Sequence, residues 1–423
     1  MTLLLAFGLA LLDAAYHDDR DTVEALLRNG ANANEANDLG ATPLWAACQN
    51  GSDALVERLL RAGANPNLAL AKGETPLMVA ARGGYAGIVT QLLAAKANPN
   101  ARAARGQTAL MWAAARGHSE TVGALLTGGA DPHLRSESWT DPMAIPPHGY
   151  RPYNKNVPHG NDTALLFAAR SGDLESAKLL IAAGAEVNHS DAWGVTALLF
   201  AAHSGHGALV EQLLAKGSDP NLSRAGFRAL HIAILRRDER MAAALLARGA
   251  DPNAKLETWT PVRRSSKDLH FDPALTDATP FWLAARYQNP SVLRLLAKHG
   301  ADVHFLHHST RVRDASGAED KRSSNAVLAA MEQGGGGPAW VEVPRGEKER
   351  RIHETVKTAL ELGVPAPANA LSVAKSLRLD SVVTLLAAQQ RPGISATAMT
   401  PDPNMPRPIA ARDSVFIEEL TWL

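Results

Sequence analysis

A short closing motif recurs along this chain at a nearly fixed interval. The interval from Gly30 to Gly63 is 33 residues, and the interval from Gly184 to Gly217 is 33 again. Most copies continue with Ala and then Asn or Asp, and Lys96 takes the glycine position in one copy. The glycines that close a unit in this way are Gly30, Gly63, Gly129, Gly184, Gly217, Gly249 and Gly300. A period of this length predicts a solenoid, in which similar units stack side by side.

The stretch 40–67 shows what one unit contains. Thr42 is a preferred residue type for capping a helix, and Pro43 suits the first helical position, where a missing N–H costs nothing. Apolar residues at a spacing of three and four then predict a helix that ends at Gly51. A second helix ends at Gly63, for which we expect a left-handed conformation. Two helices this short cannot bury their apolar faces alone, so the unit implies neighbours.

These units resemble the ankyrin repeat family, because the T-P-L start, the paired small residues, the L-L pair and the G-A-D/N ending recur in phase. The resemblance covers roughly residues 9–310 well and 320–390 poorly. It implies an all-α ankyrin-repeat solenoid of about nine or ten helix-turn-helix units with β-hairpin fingers. It also implies a non-enzymatic protein–protein interaction module or scaffold, which binds a partner through its concave face and finger loops.

The repeat register divides the chain into regular units and two long inserted loops. The predicted segments are 1–12 (signal or capping segment), 13–134 (repeats one to four), 135–160 (inserted loop), 161–253 (repeats five to seven), 254–276 (inserted loop), 277–304 (repeat eight), 305–390 (degenerate repeats and C-terminal cap) and 391–423 (proline-rich tail, expected to be disordered).

The apolar run from Thr2 to Leu12 has two interpretations. It has the length of the apolar core of a signal peptide, although no Lys or Arg precedes it. In the repeat register Leu11 aligns with Leu44, which instead places the end of the run in the first helix of the first repeat. Bacterial ankyrin proteins similar to this one often carry a signal peptide, so the resemblance implies export to the periplasm. A cytoplasmic location is the alternative.

The composition narrows the kind of partner. Lys+Arg and Asp+Glu both number 43, so no global charge favours nucleic acid or an anionic membrane surface. The run from Thr2 to Leu12 is too short to cross a bilayer. Cys48, the single cysteine, excludes an internal disulfide and aligns with alanines of the other units. No phosphate-binding loop, dinucleotide fingerprint or H-E-x-x-H motif is present, so no cofactor is predicted. We therefore predict a monomer that binds another protein.

One cluster favours a different class of function. His304, His307 and His308 stand close to Asp302, with a spacing that metal-binding loops also use. A metal-dependent activity, carried by this cluster or by the inserted loops, is therefore the alternative to a binding module. Against it, His304 takes the position that Asn67 takes in the second repeat, where a residue that stabilises a turn is expected.

The resemblance places the residues that follow the paired alanines on the concave groove. In this chain these residues are Arg82, Arg116, Arg170, His203, Arg236, Arg286 and Tyr287. Such a row of cations predicts a partner with an acidic segment. The alternative is that each cation only keeps a helix end solvated and complements the helix dipole.

Both inserted loops open on a similar short sequence that contains a tryptophan. Residues 137–140 and 257–260 follow the G-A-D-P ending at the same distance, so Trp139 and Trp259 are expected to leave the same edge of the solenoid. Each tryptophan either covers the side of the neighbouring finger or, together with the row of cations, forms the surface that binds the partner.

Overall fold

The structure, a computed structural model, describes residues 2–143, 155–222, 224–258, 271, 273–312, 319–332 and 344–389. Within these ranges twenty α-helices follow one another as ten pairs. The first helices are α1 Thr2–Tyr16, α3 Pro43–Asn50, α5 Pro76–Gly83, α7 Ala109–Arg116, α9 Ala164–Ser171, α11 Ala197–Ser204, α13 Ala229–Leu235, α15 Pro280–Arg286, α17 Ala326–Met331 and α19 Ala370–Ser376. The second helices are α2 Arg20–Arg28, α4 Asp53–Arg61, α6 Ala86–Ala94, α8 Ser119–Thr127, α10 Leu174–Ala182, α12 Gly207–Ala215, α14 Glu239–Ala247, α16 Pro290–Lys298, α18 Arg345–Glu361 and α20 Asp380–Gln389.

The helices form two layers. Each first helix packs against the next first helix and each second helix against the next second helix, from α1 and α2 to α19 and α20. The core between the layers is continuous and consists mainly of leucine and alanine, because only small residues allow such close helix contacts. Cys48 is one of these small buried residues, and burial raises the pKa of its thiol. This architecture confirms the predicted all-α solenoid.

Recurrent residues set both ends of the first helices. Thr42 caps α3 and accepts a hydrogen bond from the backbone N–H of Trp45 (3.2 Å). Five further first helices are capped in the same way, by Thr75, Thr108, Thr163, Thr196 and Thr279. Left-handed glycines such as Gly51 end most of these six threonine-capped helices. In repeats seven and eight, Arg237 and Gln288 take this conformation instead, and the guanidinium of Arg237 donates to the carbonyl oxygen of Gln288 (2.9 Å).

Side-chain amides join each repeat to the next. Asn67 donates from Nδ2 to the carbonyl oxygen of Lys96 (3.0 Å) and accepts at Oδ1 from the backbone N–H of Asn98 (2.7 Å). We call this arrangement an asparagine bridge. The bridging residues are Asn34, Asn67, Asn100, Asn188, Asn221 and Asn253. The series is interrupted at His133, which stands at the bridging position of repeat four.

In the described ranges, two antiparallel hairpins project from the helix layers. The first pairs β1 (Trp139–Met143) with β2 (Lys155–His159) and lies in the loop predicted at 135–160. The second pairs β3 (His307–Val312) with β4 (Glu319–Ser324). We predicted degenerate repeats and a C-terminal cap over 305–390. The residues of β3 and β4 are mostly polar and show no apolar alternation that would indicate a hairpin. The hairpin is anchored at its base, where the indole N–H of Trp282 donates to the carbonyl oxygen of Ser324 (3.0 Å).

The N-terminal run belongs to a helix. Helix α1 packs against α3, and Leu11 and Ala15 are fully buried, as their alignment with the second repeat predicts. Whether the run also serves as a signal stays a prediction. Among the helices of the described ranges, none combines the length and the apolarity needed to cross a membrane. The predicted disordered tail, 391–423, lies outside the described residues.

Lys96 occupies a backbone conformation that favours glycine, with φ of 71°. Lys96 lies just after the end of α6, and the equivalent residue in the second repeat is Gly63. We expect Lys96→Gly to raise the free energy of unfolding by about 1 kcal/mol, because L-residues are strained in this region. A urea denaturation curve measures the change. Gly63→Ala is the control. An added Cβ there would meet no atom within 4 Å, so only the backbone strain of an L-residue acts, and stability should fall by a similar amount. A lower midpoint for Lys96→Gly would contradict the repeat register.

The asparagine bridges predict a second difference in stability. Asn100 makes two hydrogen bonds to the next repeat, with the carbonyl oxygen of Gly129 (3.1 Å) and the N–H of Asp131 (2.8 Å). Asn100→Ala should lower the free energy of unfolding by about 1–3 kcal/mol, since each such bond contributes about 0.5–1.5 kcal/mol. His133→Ala is the matched control, and we expect it to stay within about 0.5 kcal/mol of the wild type. Equal urea midpoints for the two variants would show that the bridges do not stabilise the array.

Candidate functional site

The residues predicted to line the groove lie at the ends of six consecutive first helices. In chain order they are Arg82 in α5, Arg116 in α7, Arg170 in α9, His203 in α11, Arg236 after α13, and Arg286 and Tyr287 at the end of α15. Because the first helices stack in one layer, these residues form a row along it. Tyr287 differs from the others, since only 7% of it is exposed and it packs in the core.

Most of the positive charge in this row is paired within the chain. The ion pairs are Arg82 with Glu74 (3.1 Å), Arg170 with Asp162 (3.3 Å) and Arg286 with Glu332 (2.5 Å). Arg236 donates instead to the carbonyl oxygen of His203 (2.7 Å). Arg116 is exposed and forms no ion pair with any described residue. The row therefore presents much less uncompensated positive charge than its composition indicates.

Aromatic side chains lie beside the arginines on three consecutive first helices. Trp112, Phe167 and Phe200 occupy equivalent positions of α7, α9 and α11, and all three are half-buried. The guanidinium of Arg82 lies 5.2 Å from the ring centre of Trp112, and that of Arg170 lies 4.3 Å from the ring centre of Phe200. Guanidinium groups are attracted to aromatic faces at such distances. The first-helix layer thus has a partly apolar surface, and guanidinium groups of the protein itself already contact its aromatic rings.

The β1–β2 hairpin stands at the edge of this surface. Trp139 and His159 pair across the two strands, and their rings stack with centres 5.3 Å apart. On the side of the preceding finger, the guanidinium of Arg105 lies 4.2 Å from the ring centre of Trp139. Gly160 lets the chain leave β2, because a Cβ on it would lie 1.9 Å from the carbonyl oxygen of Glu137. Trp139 thus contacts a neighbouring finger, and it also borders the pocket described next.

A pocket of about 450 Å³ opens between this hairpin and helices α9, α11 and α13. Its aromatic lining comprises Trp139, His159, Trp193, Phe200, Phe227 and Phe271. Trp193 stands edge-on to Phe227, with ring centres 6.5 Å apart, and Phe227 lies 5.9 Å from Phe271. Because Trp193 and Phe227 belong to the fingers of repeats six and seven, the pocket is built jointly by several units. We call it the aromatic pocket.

Among the described residues, two carboxyl groups and one guanidinium line the aromatic pocket. Asp162 is paired with Arg170, as given above, while Oδ1 of Asp191 accepts the backbone N–H groups of Trp193 (3.0 Å) and Val195 (2.7 Å). Burial raises the pKa of both carboxyl groups, that of Asp191 to about 6, and the charge of Asp162 adds to the shift at Asp191. Ionisation of both carboxyl groups therefore leaves one more negative than positive charge among the carboxyl and guanidinium groups that line the described part of the pocket.

A buried histidine supports the floor of the pocket. His231 is completely buried, accepts the backbone N–H of Arg228 at Nδ1 (3.1 Å) and donates from Nε2 to the carbonyl oxygen of Ala254 (2.8 Å). These two bonds require the neutral ring with its proton on Nε2. The ring also meets the edge of Phe271, with ring centres 6.3 Å apart. Burial lowers the pKa of His231 to about 4.

Comparison with known families agrees with this geometry. A family model described as three copies of the ankyrin repeat matches residues 11–103, 52–136 and 154–255, and a model of the single ankyrin repeat matches residues 276–308. Together the matches cover more than half of the chain. The chain belongs to the ankyrin repeat family. A comparison with curated proteins finds no match for this ankyrin repeat protein. Ankyrin repeats indicate a protein–protein interaction module and are generally non-enzymatic.

The predicted histidine cluster does not come together in this ankyrin repeat protein. His307 is buried and hydrogen-bonded at Nε2 to the carbonyl oxygen of Thr276 (2.9 Å), whereas His308, the next residue of β3, is exposed and bonded to the hydroxyl of Ser323 (2.7 Å). Successive strand residues point to opposite faces, so the close spacing is misleading. His304 is exposed in the preceding turn. In the described part of the chain, no group of three or more His, Cys, Asp or Glu residues is placed to hold a metal ion.

Most residues of the aromatic pocket were not predicted from the sequence. Trp259, which we predicted to leave the same edge of the solenoid as Trp139, falls outside the described residues, and Phe271 is a described residue of that loop that reaches the pocket. Asp191 and Trp193 come shortly before the glycine that opens a repeat. The residue types at these two positions are not fixed in the other units. The sequence feature that could have indicated part of this surface is the aromatic residue at the equivalent position of α7, α9 and α11.

His231 predicts a pH dependence of stability. Its folded pKa of about 4 lies below the ordinary value near 6.5, so the unfolded chain binds one more proton between these pH values. The stabilisation by neutral His231 is therefore complete above about pH 6.5, and about 2 kcal/mol of it is lost by pH 5. His231→Gln should be less stable at pH 7 but lose less stability between pH 7 and 5. Urea midpoints at both pH values measure this.

The control for this prediction is His299→Gln, at an exposed position of the same residue type. Its midpoint should fall with pH as that of the wild type does, because other groups titrate equally in both proteins. Parallel pH profiles for the wild type and His231→Gln would contradict the assignment of the proton to His231.

Proposed function

We propose that this protein binds an extended segment of another protein along its first-helix layer, with the aromatic pocket as the centre of the interface. The observation that carries the proposal is the joint construction of the pocket by the β1–β2 hairpin and three consecutive repeats. A concave, mostly apolar cleft with a few charged groups is the usual form of a binding site. Aromatic anchors in pockets also contribute most of the affinity in protein interfaces.

The predicted contact residues take different parts in this proposal. Trp139, Arg170 and His203 border the pocket and would contact the segment directly. Arg116 lies one repeat away, in a shallower cleft that it shares with Arg82 and His118. Since Arg116 has no ion-pair partner among the described residues, we place the acidic side chain expected of the partner at this end of the groove.

The remaining predicted contacts extend the groove in the other direction. Arg236 lies beyond His203, and Arg286 and Tyr287 lie one repeat further. Arg286 is engaged with Glu332 and Tyr287 is buried, so we assign them a supporting role in holding the helix ends in place. Trp259 stays a predicted contact that lies outside the described residues. Neighbouring helices pack about 10 Å apart, so a segment that crosses three repeats needs roughly six to nine extended residues.

Blocking the pocket provides the test. His203 is exposed at the end of α11 and borders the pocket, so His203→Trp places a large ring there without disturbing the core. A displayed library of random linear peptides is selected on the wild type, and the affinities of the enriched peptides are measured by fluorescence anisotropy. We expect His203→Trp to weaken these peptides at least about tenfold, which corresponds to about 1.4 kcal/mol.

The matched control introduces the same residue on the other layer. Thr90 is exposed on the second helix α6, and Thr90→Trp should leave the affinities within about twofold of the wild type. Circular dichroism confirms that both variants fold. If no peptide is enriched on the wild type, or if the enriched peptides bind all three proteins equally, the proposed groove is not the binding site.

A further inference from the structure

We propose that the aromatic pocket receives a basic side chain, arginine or lysine, of the bound segment, whose charged end meets Asp191 while its alkyl stem lies among the aromatic rings. This inference rests on the proposed function and specifies the partner residue that occupies the pocket. The bound segment would then have a basic side chain over repeats five to seven, in addition to the acidic side chain expected near Arg116.

The charges of the pocket support a cationic occupant. Of the described residues that line it, only Arg170 carries a guanidinium, and this group is already paired with Asp162. Asp191 faces the same pocket, and its Oδ2 accepts no hydrogen bond from a described residue, because the two backbone N–H groups both bind Oδ1. One carboxylate oxygen is therefore left for a ligand. An anionic side chain would instead meet two carboxylates in a poorly solvated space.

The walls of the pocket suit the stem of such a side chain. Trp193 and Phe200 are half-buried and both line the pocket, Trp193 from a finger two residues after Asp191 and Phe200 from α11. Aromatic faces attract guanidinium and ammonium groups, more strongly where water is excluded. The same surface already shows this chemistry, since the guanidinium groups of Arg170 and Arg105 lie 4.3 Å and 4.2 Å from the ring centres of Phe200 and Trp139.

The ionisation of the pocket is consistent with this occupant. Burial raises the pKa of Asp191, and a bound cation would lower it again, so affinity should increase as the pH rises through 6. The other titratable and charged groups that face Asp191 are Asp162, Arg170, His159 and His203 in the aromatic pocket, and Arg135, Glu186, His189 and Arg224 in the adjoining cleft that Asp191 also lines. Only a variant of Asp191 itself can therefore assign the dependence.

Asp191→Asn removes the charge without removing the fold. In the second repeat, Asn37 performs the same task, since its Oδ1 accepts the backbone N–H groups of Leu39 and Ala41 at 3.0 Å each. Asp219→Asn is the matched control. Asp219 is exposed and accepts the N–H of Asn221 in the way that Asn65 accepts the N–H of Asn67. Both variants lose one negative charge, but Asp219 does not line the pocket.

The experiment uses peptides selected on the wild-type protein, together with versions in which each Arg is replaced by citrulline and each Lys by norleucine. We expect the selected peptides to share one basic residue. Asp191→Asn should weaken them at least about fivefold, and Asp219→Asn should change their affinity less than twofold. For the peptide that lacks the shared basic residue, Asp191→Asn should have no further effect, which shows that the two groups interact directly.

Four results would overturn this inference. Selected peptides without a shared basic residue, or equal binding to the wild type and Asp191→Asn, would contradict it while the proposed function stands, provided that His203→Trp still blocks binding. Acidic peptides that bind Asp191→Asn more tightly than the wild type would reverse the sign of the expected charge. If no peptide is enriched at all, the proposed function fails and the inference fails with it.

Discussion

A side-chain amide that joins two successive repeats sets the geometry of this array. The turn that follows each second helix leaves one backbone carbonyl oxygen and one N–H that need a partner from outside the turn. Asn34 satisfies one group of each kind, the carbonyl oxygen of Gly63 at 2.9 Å and the N–H of Asn65 at 2.6 Å. An amide has both a donor and an acceptor, whereas a carboxylate has only acceptors. This difference explains why the bridging position is asparagine, while the position two residues earlier, which only accepts a bond, also contains aspartate, as at Asp219.

The pocket lies where this regular series is interrupted. At His133 no amide reaches the next repeat, and the β1–β2 hairpin is inserted directly afterwards. Reciprocal bonds replace the bridge: the N–H of Ser136 donates to the carbonyl oxygen of Asp162, and the N–H of Asp162 donates to the Ser136 hydroxyl, both at 2.9 Å. A regular array of fingers offers a shallow groove. The longer finger at this junction adds a wall to the first-helix layer, and the wall is what turns the groove into a pocket of about 450 Å³.

The sequence was sufficient to predict the repeats, because local residues determine them. Thr42, Pro43 and Gly51 act within one helix, and each has the role expected of it. The ion pairs of the groove were harder to predict, although Glu74 and Asp162 both stand eight residues before the arginine with which they pair, next to a capping threonine. The pocket could not be predicted, because Trp193, Phe227 and Phe271 come from different units and meet only in the folded array. The β3–β4 hairpin was missed for a similar reason, since backbone pairing rather than an apolar pattern defines it.

The pairing of arginine with acid also decides which sign of charge each part of the groove presents. Where an acid precedes the capping threonine, as at Asp162, the arginine of that repeat is neutralised and its guanidinium is held against an aromatic ring. Repeat four has Gln107 at that position, and its Arg116 remains exposed. Repeat six has Val195 there and His203 in place of the arginine, so Asp191 has no guanidinium of its own repeat to pair with. The row of groove residues is almost uniformly basic in the sequence, but the acids that compensate it are unevenly distributed. The folded groove therefore has an unpaired positive group at repeat four, Arg116, and a negative group at repeat six, Asp191.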